Sequence, residues 1–406
     1  QTRLRFGQPS AILTTTRDGP LAMTVRANEP RLGTSTVRTD TRWWRQPRVV
    51  AEPIGPHLVA VGWFPRSAVV RIVRIDGRGR HVVVASIAGS SSSYRDATVL
   101  PNRHYRYVVY RSGFPSVALG PLTTPPDAPV TSMSAIGGKG MWFFFTSNPV
   151  DSIYFRHDDP AQIVDQAVRA GLHYVELRFA YGAYWEVSPQ VKPTVDAIVD
   201  GLAAHGIATI AWTVPRDTSF EDVQATVRAA SYRTARGTPV GGVAIDLERG
   251  GDFMGGASQG VDALWQYVRD VRRALGPHYV IAATVEDAYM EHLDDTVYPY
   301  ARIAQFSNVL QPMAYWRMLR HRPTSPSQVR TLLRGSYDTL LLEARRKIAV
   351  SMGGQTVAGA LGGAPAADEI AASLKVSKRI GAIGECFFDW DGTQPYQWNA
   401  LAHFAW

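Results

Sequence analysis

The sequence VGGVAIDLER, residues 240–249, is typical of a short, fully buried β-strand that ends in two acidic residues, Asp246 and Glu248. Side chains alternate between the two faces of a strand, so these two carboxyl groups are predicted to point to the same side. If the strand belongs to a parallel barrel, both would point into its mouth, where such proteins place their reactive groups. The structural alternative is that one of these two acids caps the following helix and the other is only solvated.

The chain on both sides of this stretch repeats one pattern, in which a short apolar run is followed by an amphipathic segment. Strands are predicted at 140–146, 173–180, 207–214, 242–248, 279–285, 309–315, 347–352 and 382–388. Helices are predicted at 160–171, 191–205, 219–235, 258–275, 296–305, 326–345, 366–379 and 395–404. Eight strand–helix units predict a TIM (β/α)8 barrel over residues 139–406.

The chain before the barrel is predicted to be all β. Residues 1–46 are rich in Thr and Arg, with β-prone pieces at 11–16, 21–27 and 34–39. Residues 47–124 contain short strands at 58–64, 69–75, 81–87, 104–111 and 117–122, which predict a β-sandwich. A Pro-rich linker is predicted at 125–138. The fold class is therefore multidomain, with a β-sandwich followed by an α/β barrel.

The formal charge of +8 is concentrated at the N-terminal side of this 406-residue chain. Residues 1–125 hold 18 Lys and Arg against 6 acidic residues, whereas the remainder holds 25 against 29. We expect an anionic cell-surface polymer as a partner, or the acidic barrel of a second copy, with self-association through residues 1–46. The basic residues match no nucleic-acid module, so nucleic-acid binding is not expected.

Cysteine content and apolar runs exclude several classes. The single cysteine, Cys386, rules out an internal disulfide and a cysteine-cluster metal site, and it is predicted to be a buried core thiol. No metal or nucleotide motif is found, so we expect no cofactor. No apolar run reaches the roughly 18 residues of a membrane span. A first residue that is Gln rather than Met predicts a processed protein that is secreted or lies at the cell surface.

Acids, amides and aromatic residues dominate the predicted C-terminal ends of the barrel strands, a mixture that suits carbohydrate. A glycosidase needs one carboxyl group that holds its proton and a second group that is ionised. Repulsion between Asp246 and Glu248 would raise one of the two pKa values. The opposing carboxylate is left open among three glutamates in the predicted substrate-binding set, which consists of Glu176, Arg178, Trp212, Glu286, Gln311, Trp316, Glu385 and Trp390.

The segments GGVAIDLE (241–248), LQPMAY (310–315), KIAVSM (347–352) and GAIGECFFDWD (381–391) resemble strands four, six, seven and eight of family 18 glycoside hydrolases. That family contains chitinases and endo-N-acetylglucosaminidases. The resemblance implies that Glu248 is the general acid. It also implies that Asp246 orients a substrate acetamido group that attacks the anomeric carbon, while Tyr315 helps to hold this group.

This chain departs from the family pattern on the fourth strand. Two further acids of the family motif are replaced here by a glycine, 241 or 242, and by Ala244. The Asp-x-Glu ending also resembles family 25 muramidases, which have fewer acids on this strand. In the N-terminal part, Trp63 and the segment VLPNRHY (99–105) resemble a fibronectin type III domain, which implies a spacer or adhesion module.

Two classes of function follow from these observations. The leading hypothesis is an extracellular glycoside hydrolase that cleaves a polysaccharide or glycan, with Glu248 as the acid; a muramidase seated on an anionic cell wall is one form of it. The alternative is a non-catalytic carbohydrate-binding or structural protein in a cell-surface assembly, formed through the basic N-terminal region. The sugar, the linkage and the anomeric outcome are left open.

Overall fold

The computed structural model describes residues 20–25, 35–40, 48–89, 91–144, 159–250, 260–319, 325–359 and 363–406. The chain divides into two compact units, Gln1–Pro126 and Asp127–Trp406. The boundary between them lies in the Pro-rich segment predicted as a linker. No described helix combines the length and the apolar character that crossing a lipid bilayer requires.

The first unit consists of antiparallel strands. A two-stranded ladder joins β1 (Pro20–Val25) to β2 (Ser35–Asp40), whereas the strand predicted at 11–16 lies outside the described residues. A three-stranded sheet has the order β3-β4-β7 and a four-stranded sheet the order β6-β5-β8-β9. Their strands are β3 (Arg48–Gly55), β4 (Leu58–Phe64), β5 (Val69–Asp76), β6 (His81–Ala88), β7 (Ser93–Asp96), β8 (His104–Arg111) and β9 (Phe114–Thr123).

Apolar side chains from both sheets form one core, which includes Val61 and Trp63 on β4, Ile72 on β5 and Tyr107 on β8. Sequence analysis missed β3, which contains Glu52 and Pro53, and β7, which is short and polar. In β3 the exposed Val50 and the proline at position 53 obscure the alternation of apolar and polar residues, and β7 has only four residues.

The second unit is a closed barrel, so the predicted (β/α)8 fold is confirmed. Its eight parallel strands are β10 (Gly138–Phe144), β11 (Tyr174–Tyr181), β13 (Ala208–Val214), β14 (Val243–Leu247), β15 (Ile281–Val285), β16 (Val309–Pro312), β17 (Ala349–Gln355) and β18 (Gly384–Phe388). Strand β10 pairs with both β11 and β18, which closes the sheet. The short strand β12 (Tyr184–Trp185) folds back antiparallel on β11.

Eight helices alternate with these strands: α1 (Pro160–Arg169), α2 (Lys192–Ala204), α3 (Phe220–Ala230), α4 (Asp262–Leu275), α5 (Tyr300–Phe306), α6 (Pro326–Ala344), α7 (Ala367–Ile380) and α8 (Pro395–Ala402). Several begin at a side chain that accepts a hydrogen bond from the first turn. Asp159 accepts from Ala161 N before α1, and Ser325 accepts from Gln328 N before α6. Helices α2, α4, α5 and α7 begin without a side-chain hydrogen bond at the cap, and the predicted starts of α4 and α5 lie four residues too early.

Lys139 joins three parts of the barrel beneath the strands. Its buried ammonium group donates to the carbonyl oxygens of Ala170, Leu401 and Phe404 at 2.9, 2.6 and 2.7 Å. Ala170 is the C-cap of α1 and Leu401 belongs to the last turn of α8, where carbonyl dipoles favour a cation. Burial lowers the pKa of Lys139 to about 8, so the ammonium form prevails at neutral pH.

Replacement of Lys139 by methionine is expected to destabilise the barrel by about 2–4 kcal/mol, because three buried carbonyl groups lose their donor. Urea denaturation followed by tryptophan fluorescence would measure the loss. Lys375→Met, at an exposed position on α7, removes the same charge and should change the free energy of unfolding by less than about 0.5 kcal/mol. Equal unfolding midpoints for the two variants would contradict this role of Lys139.

Candidate active site

A cavity of about 370 Å³ opens at the C-terminal ends of the barrel strands. This is the end of a parallel barrel at which loops can vary without disturbing the core. The cavity combines acidic, aromatic and apolar side chains. It is lined by Trp142, Trp212, Asp246, Glu248, Thr284, Glu286, Glu291, Met313, Tyr315, Met318, Leu319 and Phe388.

Strand β14 places two carboxyl groups in this cavity. Every residue of Val243–Leu247 is buried, and Asp246 retains only 7% exposure. Glu248 follows directly and lines the same cavity. The hydroxyl of Tyr298 donates to the carbonyl oxygen of Leu247 at 2.7 Å, which fixes the backbone between the two acids. The side chains of Asp246 and Glu248 therefore both face the cavity at the mouth of the barrel, as expected from their spacing on the strand.

A second pair of acids lies on the next strand-end loop. Glu286 accepts a hydrogen bond from the backbone N–H of Arg249 at 2.7 Å and forms an ion pair with the guanidinium group of the same residue. A guanidinium nitrogen of Arg249 lies 3.6 Å from Glu291 Oε2. Arg249 thus ties both glutamates to the residue that follows Glu248. The described residues contain no group of three or more His, Cys, Asp and Glu side chains suited to a metal ion.

Burial and crowding of negative charge raise the pKa of three carboxyl groups in the cavity, those of Asp246, Glu248 and Glu291. For Glu248 burial is the largest cause, followed by repulsion from Asp246, Glu286 and Glu291. The pKa of Asp246 is also raised, by burial and then by the charge of Glu176. Burial raises the pKa of Glu291 to about 7. Glu248 makes no hydrogen bond within the described part of the chain, so it is the carboxyl group best suited to hold a proton at neutral pH.

Three buried polar atoms of cavity-lining residues have no hydrogen-bond partner among the described residues: Asp246 Oδ1, Trp142 Nε1 and Trp212 Nε1. The indole N–H of Trp212 is near enough to Asp246 to lower the pKa of that carboxyl group, but the two do not meet in a hydrogen bond. Buried polar atoms are normally paired. A ligand that offers both a donor and an acceptor would satisfy Asp246 Oδ1 and Trp212 Nε1, whereas Trp142 Nε1 lies near enough to the buried carboxyl group of Glu176 to lower its pKa.

Two predicted substrate-binding residues lie in the barrel interior and do not line the cavity. Gln311 Nε2 donates to Glu176 Oε1 at 2.6 Å, and Thr284 Oγ1 donates to Gln311 Oε1 at 3.2 Å. Both Glu176 and Gln311 have no exposed surface. Burial raises the pKa of Glu176 to about 7, although the hydrogen bond from Gln311 opposes the shift. Glu176 therefore acts on the site through its charge on Asp246.

Three further predicted site residues are not at the cavity. Glu385 lies on the outer side of β18, where Ser373 and Ser377 of α7 lower its pKa while burial raises it to about 8. Its neighbour Cys386 faces the interior, as a buried free thiol. Of the three glutamates left open as the opposing carboxylate, Glu385 therefore lies on the outer face of the barrel, because side chains of consecutive strand residues point to opposite faces.

Trp316 and Trp390 are also packed away from the cavity. Strand β16 ends at Pro312, three residues earlier than predicted, and the chain then turns so that fully buried Trp316 contacts Glu369 of α7, with 3.3 Å between Nε1 and Oε2. The ring of Trp390 makes edge-to-face contacts with Phe143 and with Trp398 of α8. Neither ring is available as a platform for a sugar in the cavity.

Arg178 lies behind the cavity wall. It forms two hydrogen bonds with Glu186, at 2.9 and 2.8 Å, and its guanidinium group lies 5.5 Å from the ring centre of Trp212. Its positive charge lowers the pKa of Asp246. Of the predicted substrate-binding set, only Trp212 and Glu286 line the cavity with the three predicted catalytic residues, Asp246, Glu248 and Tyr315.

Sequence analysis did not select Glu291, Thr284, Met318, Leu319 or Phe388 as site residues, although all line the cavity. Glu291 belongs to the run EDAYME at 286–291, directly after a strand, so the rule that favours acids at strand ends would reach it if extended into the loop. Thr284 pairs with Asp246 in the ladder between β14 and β15, which only the register of the sheet reveals.

The sequence matches no protein-family model and no curated protein. Its structural neighbours are glycoside hydrolases. A chitinase from Chromobacterium violaceum has 11% identity and a TM-score of 0.44, over 65% of this chain and 98% of that one. A class V chitinase from Nicotiana tobaccum has 10% identity and a TM-score of 0.46, over 66% and 97%. The PgaB glycoside hydrolase domain from Bordetella bronchiseptica has 12% identity and a TM-score of 0.44, over 66% and 98%.

The raised pKa of Glu248 has a measurable effect on stability. A carboxyl group whose folded pKa lies above its unfolded value of about 4.3 favours the folded state at low pH, and this contribution is lost as the pH rises toward the folded pKa. Glu248→Gln should therefore melt close to the parent at pH 4 and about 3 °C higher at pH 8. Asp338→Asn, exposed on α6, should show no such divergence. A Glu248→Gln variant less stable than the parent at pH 8 would refute the shift.

Proposed function

We propose that the barrel is a glycoside hydrolase in which Glu248 is the general acid. The observation that carries the proposal is a carboxyl group with a raised pKa and no hydrogen bond from the described residues, placed in a cavity beside other carboxyl groups. Glycoside cleavage requires a proton donor of this kind at the leaving oxygen. The cavity volume of about 370 Å³ lies within the range of small-ligand sites.

The chemistry proposed for this site is hydrolysis assisted by the substrate. Glu248 gives its proton to the glycosidic oxygen as the bond to the anomeric carbon breaks, and the acetamido oxygen of the substrate attacks that carbon. Asp246 Oδ1, which has no partner in the described structure, accepts from the acetamido N–H. Water then attacks the anomeric carbon, the bond between this carbon and the acetamido oxygen breaks, and the proton released by the water passes to Glu248, which restores the acid.

Tyr315 is proposed to hold the acetamido oxygen. The side chain lines the cavity together with Asp246 and Glu248, and its ring is 5.8 Å from that of Phe388. Burial raises the pKa of the Tyr315 hydroxyl above its usual value, so it remains a hydrogen-bond donor throughout the neutral range. A glycan with N-acetylated sugars is the substrate class that these three groups fit.

Residues 47–124 of the first unit are proposed to be a fibronectin III-like spacer. Its three-stranded and four-stranded sheets share one core, and the backbone N–H of Leu100 donates to the hydroxyl of Tyr105 at 2.9 Å. A tyrosine hydroxyl that binds the backbone a few residues upstream is a feature of such sandwiches. An extracellular or cell-surface location is proposed because the proposed polysaccharide substrates lie there. Self-association through residues 1–46 remains a prediction.

A non-catalytic carbohydrate-binding protein is the alternative. It is favoured by Ala244, which leaves β14 with one acid inside the strand and a second just beyond it. The same cavity would then hold a sugar through its unpaired polar atoms without cleaving it.

Release of reducing ends from chitin, peptidoglycan and N-glycans tests the hydrolase. Glu248→Gln is expected to reduce the rate about 10³-fold, because the variant has no proton to donate to the leaving oxygen. Glu385→Gln makes the same chemical change on the outer side of β18 and should keep at least about half of the parent rate. A folded parent that retains these polymers but releases no reducing ends would reject hydrolysis and support the binding alternative.

Tyr315→Phe separates positioning of the substrate from proton donation. Loss of one hydrogen-bond donor to the reacting group should lower kcat about 100-fold with little change in KM. Tyr396→Phe removes a hydroxyl group from an exposed ring on α8 and serves as the matched control. A higher KM with unchanged kcat for Tyr315→Phe would show that the hydroxyl contributes to binding alone.

A further inference from the structure

The outer face of the four-stranded sheet in the first unit carries an exposed, positively charged surface. In the ladder between β5 and β8, Arg71 lies opposite Tyr110 and Arg106 lies opposite Ile75. Arg71, Arg106 and Tyr110 are exposed, and Tyr110 keeps 46% of its surface. We call this surface, formed by Arg71, Arg106, Tyr110 and the valines between the two arginines, the arginine face.

No carboxylate within residues 48–126, as the structure describes them, neutralises the charge of Arg71 or Arg106. Residues 48–126 contain ten arginines, no lysine and three acidic residues, a net of +7. Asp96 is buried and paired with Arg74 at 2.9 Å, and Asp76 lies 3.4 Å from Arg80. The third acid, Glu52, belongs to β3 in the other sheet. Within the described ranges, Arg71 and Arg106 thus have no carboxylate partner.

Each guanidinium group of the arginine face remains available to an external anion. Arg71 lies over the ring of Tyr110, at 5.7 Å from its centre, and such stacking occupies the flat side of a guanidinium group while its N–H edge stays free. The N–H edge is the part that pairs with carboxylates. Tyr110 therefore positions a cation without neutralising it.

The spacing of the two arginines selects the kind of ligand. Arg106 is level with Ile75, four residues along β5 from Arg71, which corresponds to about 13 Å. That distance separates backbone positions, but Arg71 is held over Tyr110 at its own level of the sheet, so the surface fits an extended molecule with several anions better than a single carboxylate.

Between the arginines lie Val73, Val83 and Val108 in adjacent register. Val83 is 50% exposed and Val108 is half-buried, whereas Val73 between them is only 6% exposed, so Val83 and Val108 supply the accessible apolar surface. This apolar strip fits the faces of sugar rings.

We propose that the arginine face binds a linear polysaccharide whose sugars carry carboxylate groups. The two cations pair with separate carboxylates, and the rings between them lie on the valines and beside Tyr110. A polyol phosphate would supply anions but no flat apolar ring for this strip. The choice of a polysaccharide rests in part on the proposed function of the barrel, whereas the binding itself requires no hydrolysis. The surface would hold the chain on an acidic polymer while the barrel acts on its own glycan.

Binding of the full chain to immobilised polygalacturonate tests the proposal, with dextran as the neutral polymer. The double variant Arg71→Gln/Arg106→Gln should weaken binding about tenfold at 0.15 M salt, as expected for two exposed charge-assisted pairs. The matched control Arg66→Gln/Arg78→Gln removes the same charge from exposed turns of the same unit and should change affinity less than about twofold. Circular dichroism would confirm that both double variants remain folded.

Other outcomes decide against the proposal. Equal weakening by the two double variants would assign the binding to net charge and reject the arginine face. Equal retention on dextran would reject a requirement for carboxylates, and tighter binding to a teichoic acid or to duplex DNA would assign the surface to phosphate polymers. Glu248→Gln should bind polygalacturonate like the parent. If Glu248→Gln loses hydrolysis but still binds polygalacturonate, the two sites are independent. A failure of the binding proposal can then be told apart from a failure of the proposed hydrolase function.

Discussion

Closure of the parallel ladder is the constraint on which the site depends. Because β10 pairs with both β11 and β18, no strand of the barrel is free to slip, and alternate residues of every strand are fixed inward or outward. Asp246 is thereby held beside Thr284, and Cys386 is turned inward while Glu385 is turned outward. A shift of one residue in any strand would exchange these faces.

Sequence analysis predicted the barrel well because its signals are local. Apolar runs mark the strands and amphipathic segments mark the helices, so each unit of the barrel is predicted independently of the others. The face of each side chain at a strand end was not predictable in the same way, since it depends on register and on the residue at which the strand stops. Glu385 was expected at the site, but the register of β18 turns its side chain outward toward α7. Trp316 was expected at a strand end, but β16 already ends at Pro312. Glu291 was missed because it lies in the loop after β15, and only the three-dimensional structure shows that this loop lines the cavity.

The cavity concentrates negative charge that the fold must hold in place. Arg249 counters part of it through Glu286 and Glu291, and Arg178 opposes the shift of Asp246 from behind Trp212. Glu248 receives no comparable partner from the described residues. Uneven neutralisation of this kind sets neighbouring carboxyl groups to different protonation states, which is the division of roles that acid catalysis requires. The crowded carboxyl groups therefore destabilise the folded state, but they provide the different protonation states that acid catalysis requires.

The ammonium group of Lys139 also gives the barrel an order of assembly. Two of its three acceptors, Leu401 and Phe404, follow it by 262 and 265 residues, whereas Ala170 follows by 31. During synthesis the lysine can meet α1 early but must wait for α8 before its last two donors are satisfied. Docking of α8 thus completes the hydrogen bonds of Lys139 on β10. Contacts between residues so far apart in the sequence form late and slowly.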